Sequence, residues 1–266
     1  MTPWIAKPVP FNIGQSAAGA GASAAFDDTG LRAYYKFSET SGDIIESSES
    51  DVALGSAADL QVTGATYDES SAPSSFSASM LFDGVNDTAT AGTSLSQFNF
   101  LSTGNIESTI CMWIRQVSSA PACEPGWFTT SGSSANTVGC DFFQQATMKL
   151  YFYISNGSTA HYALLDCGDD YIPDQTSWHF YVGTFDYSLG SNNQKMRRDD
   201  SNLKQATPVG SVGTGNARTP LKFMLNGRTS SNFINAYTCE ASFWSKVMST
   251  DDQTSLYNSG DGREIY

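Results

Sequence analysis

The stretch that decides the fold is residues 104–114, GNIESTICMWI, which reads as a buried β-strand built around Trp113. Side chains alternate between the two faces of a strand, so Ile110, Met112 and Ile114 share one face while Cys111 and Trp113 share the other. Both sets are apolar. The alternation therefore predicts a strand that is covered on each side.

Further strands are predicted on both sides of this stretch. An aromatic run at residues 31–37 precedes it, and residues 148–154 place Met148, Leu150, Phe152 and Ile154 on one face and Lys149, Tyr151 and Tyr153 on the other. Strands are also predicted at residues 179–186, 221–225 and 236–244, with an Asn226-Gly227 turn after the second of these. Many short strands joined by Gly, Asn and Ser turns indicate an all-β, two-sheet antiparallel sandwich.

One short C-terminal helix is predicted after Ser249. Residues 249–252, STDD, resemble a capping box with Asp at its fourth position, and Gly260 is expected to supply the left-handed stop.

The N-terminal 28 residues differ from the rest of the chain. They contain three early prolines and the low-complexity segment 15–25, QSAAGAGASAA, which together predict an extended arm rather than part of the sandwich. We therefore divide the chain into an arm, residues 1–28, and one β domain, residues 29–266. The arm is expected to dock on another protein, such as a neighbouring subunit, or to fold back on its own domain. Its anchoring side chains would be Trp4, Ile5, Val9 and Phe11.

Composition limits the partners. The formal charge of -13 and the pI near 4.3 argue against binding to nucleic acid or to anionic membranes, because phosphate would be repelled. No run reaches the ~18 apolar residues of a membrane span. The first ten residues, MTPWIAKPVP, do not resemble a signal peptide. We expect a protein that is made in a cytoplasm and released by lysis; the alternative is an extracellular protein whose signal has been removed.

Five cysteines leave at least one without an intramolecular partner. Cys123 and Cys140 flank a Gly/Ser-rich segment and are candidates for a disulfide that closes this loop. Reduced thiols packed as small hydrophobic side chains explain the same residues equally well.

The order of the motifs resembles the laminin-G-like and concanavalin A-like jelly-roll superfamily, in its bacterial and phage branch. The similar segments are LRAYYKFSETSG at 31–42, LFDGVND at 81–87, residues 101–114, TSWHFYVGTFD at 176–186, residues 237–249 and LYNSG at 256–260. Together they span roughly residues 30 to 262. The resemblance implies a jelly-roll sandwich and a structural role for His179 beside Trp178.

Some relatives hold calcium near acidic residues in these motifs, which makes Asp83, Asn86, Asp87 and Glu240 the candidate calcium ligands here. The superfamily's Asp before Glu240 is Cys239 in this chain. Turn formation, with the side chains capping the backbone, accounts for the same residues and is the favoured interpretation.

Binding of a glycan would use aromatic side chains for stacking. Trp127, Tyr151, Tyr153 and Tyr162 are the candidates, and their alternative role is to cover the sheet or an oligomer interface. The paired-carboxylate motif E-x-D-x-x-E of the superfamily's glycosidases does not occur, and neither His161 nor His179 belongs to a nucleophile motif. The sequence thus argues against an enzyme.

The first functional hypothesis is a phage structural protein: a capsid decoration, head-fibre or tail component. It would form a homo-oligomer, contact other virion proteins through the arm and bind host glycans. The second hypothesis is a soluble bacterial lectin or carbohydrate-binding module, and the third is a degenerate glycoside hydrolase.

Overall fold

The computed structural model shows two antiparallel β-sheets packed face to face and a short helix near the C-terminus. It describes residues 26–68, 71–91, 94–104, 107–117, 126–131, 138–144, 150–158, 161–166, 174–189, 191–200, 204–206, 217, 220–223 and 233–266. The predicted all-β jelly-roll sandwich with a C-terminal helix is confirmed.

The strands are β1 (Leu31–Tyr35), β2 (Leu60–Thr63), β3 (Thr66–Asp68), β4 (Ser79–Asp83), β5 (Thr88–Ala91), β6 (Glu107–Gln116), β7 (Gly126–Thr129), β8 (Val138–Gln144), β9 (Leu150–Ser158), β10 (His161–Asp166), β11 (His179–Asp186), β12 (Gln194–Arg198), β13 (Lys204–Ala206), β14 (Leu221–Phe223) and β15 (Asn235–Trp244). The α-helix, α1, is Thr250–Tyr257. Short 3-10 turns occupy Gly55–Ala58, Asn99–Leu101 and Asn258–Gly260.

Among the described residues, sheet A has the order β13-β12-β11-β6-β15-β4-β3, and sheet B has the order β10-β9-β8-β7-β14-β5-β2. In sheet A, β15 is long enough to pair with two strands along one edge. Its first half pairs with β4 and its second half with β1. We call the surface of each sheet that is directed away from the other sheet its outer face.

The strand predicted from residues 104–114 is β6, and it lies between β11 and β15. Met112 is opposite Tyr181, whose ring packs against Trp127 of sheet B, so Met112 faces the inner core. Trp113 therefore lies on the outer face, where Tyr257 of α1 stacks on it at 5.9 Å and Phe76 contacts it edge-on. Residues 110–114 of β6 are buried on both faces, as predicted.

The core between the sheets is rich in edge-on aromatic contacts. Phe243 of sheet A meets Phe128 and Phe223 of sheet B at 5.6 Å and 5.8 Å between ring centroids. The sheets approach so closely at Gly183 that a Cβ there would lie 2.5 Å from the Phe142 ring. A glycine is required at this point of contact, since any side chain would overlap the ring.

Helix α1 begins as the capping box predicts. The Ser249 hydroxyl accepts a hydrogen bond from the Asp252 N–H at 3.1 Å and donates one to the Asp252 carboxylate at 2.7 Å. The predicted stop at Gly260 is wrong, because Asn258 is the left-handed cap, with φ of 46°. Asparagine tolerates this conformation better than most residues, which allows the helix to end earlier.

The described part of the predicted arm begins at Phe26. Its ring packs edge-on against Trp244 at 5.9 Å, Asp27 pairs with Lys246 at 3.0 Å, and Asp28 accepts a hydrogen bond from the Tyr266 hydroxyl at 2.6 Å. These three residues contact the domain. The predicted anchors Trp4, Ile5, Val9 and Phe11 lie outside the described residues.

Candidate functional site

Two of the aromatics predicted to bind a glycan lie together on the outer face of sheet B. Tyr151 and Tyr153 project opposite to Phe152, as predicted, and form a cluster with Phe143 that is separate from the main core. Phe143 stacks on Tyr151 at 5.1 Å with an interplanar angle of 11°. The three side chains are only 7%, 2% and 3% exposed for Tyr151, Tyr153 and Phe143. Their ring faces are therefore shielded from solvent.

The other two predicted aromatics are not part of this cluster. Trp127 is completely buried between the sheets, with its ring 4.6 Å from that of Tyr181. Its prediction as a sugar-stacking residue is corrected, because β7 turns this side chain inward. Tyr162 lies in β10, and its backbone pairs with Ser155 of β9. The side chain of Tyr162 lies outside the described part of the chain.

A buried carboxylate adjoins the cluster on sheet B. Asp141 accepts hydrogen bonds from the hydroxyls of Thr129 and Ser131, and its Oδ1 also accepts one from the Ser131 N–H at 3.4 Å. Only 1% of Asp141 is exposed. The two hydroxyls replace the water that this carboxyl group loses on burial.

The predicted calcium ligands lie in two places. Asp83 is opposite Asn235 on β15, so Glu240 lies five residues, or roughly 17 Å, farther along that strand. In the turn after β4, Asp87 accepts the Asp83 N–H at 2.8 Å and Asp83 accepts the Val85 N–H at 2.7 Å. Burial raises the pKa of the Asp87 carboxyl.

Turn formation accounts for these contacts, and a Cβ at Gly64, whose φ is +83°, would overlap Asp87 Oδ1. Asn86 is exposed in the same turn. Among the residues that the structure describes, no three or more His, Cys, Asp or Glu side chains are grouped to hold a metal ion.

Glu240 lies in a β-bulge of β15. The register with β6 advances from Cys239 opposite Trp113 to Ser242 opposite Cys111, which inserts one extra residue, and Glu240 has a φ of 49°. The bulge directs the Glu240 carboxyl to the outer face of sheet A, where it accepts a hydrogen bond from the Tyr34 hydroxyl.

The Tyr34 hydroxyl in turn accepts the Ile265 N–H at 3.2 Å. Burial raises the pKa of Glu240 well above its ordinary value of 4.5, and burial followed by the Glu240 charge raises that of Tyr34. The adjoining pocket, lined also by Arg263 and Leu256, has room for about one water molecule. A space of this size cannot hold a sugar ring, so Glu240 does not belong to a glycan site.

Cys140 is a free thiol in the core between the sheets, so the predicted disulfide with Cys123 is corrected. Burial raises the pKa of the Cys140 thiol well above its ordinary range. Cys123 itself lies outside the described residues. Cys111 and Cys239 are also free and buried.

His179 has the contacts of a structural residue. Its Nδ1 lies 2.6 Å from the Asp199 carboxylate, whose other oxygen accepts the Phe180 N–H at 2.8 Å. Asp199 thereby fixes the start of β11 against the turn that follows β12.

An accessible aromatic surface is found on the outer face of sheet A. The strand register places Thr66, Leu81, Tyr237 and Arg115 side by side across β3, β4, β15 and β6. Trp178, directly before β11, continues this line, which we call the Arg115 row. Thr66 is exposed and the other four side chains are partly exposed.

The Arg115 guanidinium group packs against the two aromatic rings of the row, those of Tyr237 and Trp178. The guanidinium carbon lies 4.3 Å from the Tyr237 ring centroid and 5.8 Å from that of Trp178, and the two rings are 6.3 Å apart. The neighbouring line on the same face, with Trp113 and Phe180, is covered by Tyr257.

The Arg115 row was not predicted as a site. Its residues come from four strands and one loop, and Trp178 and Tyr237 entered the sequence argument only as markers of the fold. The available signal was the alternation in β6, which places Arg115 on the same face as Trp113.

No known protein family and no curated protein sequence matches this chain. Solved structures do share its fold. The binding domain of botulinum neurotoxin serotype D matches with a TM-score of 0.60 at 11% identity over 86% of this chain and 51% of that one. The binding domain of serotype C1 gives 0.57 at 12% identity over 86% and 52%. A structure of the serotype D ligand binding domain in complex with N-acetylneuraminic acid gives 0.60 at 11% identity over 86% and 50%. The chain thus spans about half the length of these structures, and at such identities they show a common jelly-roll sandwich.

Proposed function

We propose that this chain is a non-enzymatic glycan-binding domain and that the Arg115 row is its binding face. The observation that carries the proposal is a line of partly exposed side chains on a rigid sheet, in which Trp178 and Tyr237 flank a guanidinium group. Trp, Tyr and Arg are the residues that dominate binding energy at protein surfaces. A position on strands fixes them better than a loop would.

Two further observations support glycan binding. The solved neighbours carry this fold in toxin binding domains, and one is titled as a complex with N-acetylneuraminic acid. The buried acids Glu240 and Asp141 each hold hydrogen bonds within the fold, which leaves them structural roles and argues against paired catalytic carboxyls.

The test is a glycan array with the full chain, followed by titration of the best ligand. Trp178→Ala should weaken binding at least ~10-fold, because it removes an aromatic anchor. Tyr237→Phe removes only a hydroxyl group and should leave the fold intact. A loss of glycan binding in this variant could therefore not be attributed to misfolding. The matched control is Tyr187→Ala, which truncates an exposed tyrosine in the turn after β11. Binding that survives Trp178→Ala, or an array without any hit, would contradict the proposal.

We also propose that the domain is displayed on a phage virion, as a decoration, head-fibre or tail component anchored by its N-terminal arm. The support is the sequence itself: residues 1–28 have the composition of an extended arm with a few large apolar side chains. No helix among the described residues is long and apolar enough to cross a membrane.

Deletion of residues 1–25 tests the anchor, and it should stop before Phe26 because residues 26–28 contact the domain. We expect the truncated protein to fold and to be missing from purified particles. Quadruple alanine replacement of Trp4, Ile5, Val9 and Phe11 should give the same result. A full-length chain that never copurifies with particles yet binds glycans would favour a soluble bacterial lectin instead.

A further inference from the structure

Arg115 has no anionic partner among the described residues, a feature that it shares with Arg32, whose guanidinium carbon lies 5.0 Å from the Phe100 ring centroid. The Arg115 guanidinium group contacts two aromatic rings, and it makes no hydrogen bond or ion pair with the described residues. Arg197, by contrast, pairs with Asp200 at 2.5 Å and donates to Thr254 at 3.0 Å. Arg115 is set apart by its place between two partly exposed rings on the outer face of sheet A.

The rings hold this guanidinium in place without using its N–H groups. A cation over an aromatic face is attracted by the ring quadrupole, which contributes orientation at little cost to hydrogen-bonding capacity. Arginine presents five N–H donors in a planar fork that matches a carboxylate with two parallel hydrogen bonds. Arg115 is therefore positioned in advance for a carboxylate, and none of the described residues supplies one.

The rest of the Arg115 row is also rich in donors. The Trp178 indole N–H can only donate, and neither it nor the Tyr237 hydroxyl has a hydrogen-bond partner within the described ranges. The row contains no carboxylate or amide side chain to accept hydrogen bonds from sugar hydroxyls; its members are Thr66, Leu81, Tyr237, Arg115 and Trp178. The only side-chain oxygens of the row that can accept are the hydroxyls of Thr66 and Tyr237, so a ligand with a strong acceptor such as a carboxylate suits this face.

We propose that the ligand of the Arg115 row is an acidic sugar, a sialic or uronic acid residue of a glycan, whose carboxylate binds Arg115 while its ring lies on Trp178. This inference rests on the proposed glycan-binding function and adds the chemical class of the ligand. A charge-assisted, two-point contact to a planar carboxylate gives specificity that stacking alone does not.

The experiment compares three forms of one ligand: a sialylated oligosaccharide, its carboxyl methyl ester, and the same oligosaccharide without the sialic acid. A second arm uses a uronic acid oligosaccharide and its methyl ester, which separates the two sources of the carboxylate. Affinities are measured by calorimetry with the full chain. In at least one arm the free acid should bind ~10-fold or more tightly than its ester, since a hydrogen bond to a charged group contributes about that factor.

Arg115→Gln is the deciding variant, because it keeps a planar polar group and removes the charge. It should abolish the preference for the acid, so that acid and ester bind this variant with equal affinity. Arg115→Lys should restore only part of the preference, since lysine lacks the fork. Thermal unfolding of each variant confirms that the fold is intact.

Each failure has a distinct meaning. If acid and ester bind equally well to the wild-type chain, the acidic-sugar inference is wrong and the glycan-binding function stands. If a clear preference for the acid survives Arg115→Gln, the carboxylate binds elsewhere and the assignment of Arg115 is wrong. If no glycan in either arm or on the array binds, the proposed function fails together with the inference.

Discussion

The outer faces of the two sheets carry similar side chains in opposite states. On sheet B, Phe143, Tyr151 and Tyr153 form a stacked cluster that is almost inaccessible. On sheet A, Tyr237 and Trp178 remain partly exposed beside Arg115. Strand alternation placed Tyr151 and Tyr153 on the outer face of sheet B, and it places Arg115 on the same face of β6 as Trp113. Side-chain alternation identifies the face of a strand on which a residue lies, whereas the exposure of that face depends on what packs over it.

The same two faces each bury an acidic side chain, and they do so differently. Asp141 on sheet B accepts hydrogen bonds from two hydroxyl groups. Glu240 on sheet A accepts one from Tyr34 and has its pKa raised by burial. Burial with few donors favours the protonated form of Glu240.

The largest expected effect is a difference in folding stability between variants that truncate an aromatic side chain on one outer face or on the other. Phe143→Ala should lower the free energy of unfolding by about 3–5 kcal/mol, because it leaves a cavity in a buried cluster. Tyr237→Ala should cost under ~1.5 kcal/mol, since its side chain is already partly in water. Urea unfolding followed by tryptophan fluorescence measures both. Equal losses would mean that the two faces are not energetically different.

The next effect concerns the hydroxyl groups around Asp141. Ser131→Ala and Thr129→Val should each lower the free energy of unfolding by about 1–3 kcal/mol, because each removes a hydrogen bond from a buried carboxyl group. The control is Thr63→Val, which changes an exposed threonine of β2. If the three variants agree within ~0.5 kcal/mol, the Asp141 network contributes nothing to stability.

The smallest expected effect is a change in how steeply the free energy of unfolding depends on pH. The folded chain keeps the Glu240 proton at pH values where an unfolded Glu has lost it, so folding binds protons above about pH 4.5, the ordinary pKa. The stability contributed by Glu240 is therefore complete below that pH and is lost progressively as the pH rises toward the folded pKa.

Glu240→Gln cannot titrate, and its stability should fall less steeply between pH 5 and 8 than that of the wild type. Glu46 and Asp87, whose carboxyl pKa values burial also raises, contribute to the slope in both proteins. Glu107→Gln, at the exposed start of β6, controls for the exchange of a carboxyl for an amide. Parallel stability curves for wild type and Glu240→Gln would show that Glu240 is ionised in the folded chain.

Local patterns predicted the strands better than the site. β6, β9, β11 and β15 lie where alternation and β-propensity placed them, and Ser249 caps α1 as its motif indicates. The glycan candidates were chosen because they are aromatic, and this criterion does not separate Trp127 in the core from Trp178 at the surface. The calcium candidates share a motif order, but the register of β15 against β4 separates Glu240 from Asp83.

The sequence by itself determined the fold class, the position of the main strands and the burial of β6 on both faces, because these follow from side-chain periodicity within single segments. Only the tertiary structure decided which outer face stays accessible and to which face the bulge directs the Glu240 carboxyl. It also decided that Arg115 contacts Tyr237 and Trp178. The contacts of Arg115 alone join residues up to 122 positions apart, the separation between Arg115 and Tyr237. Strand register and helix packing bring them together, and both arise from the summed burial of the whole sandwich rather than from any one segment.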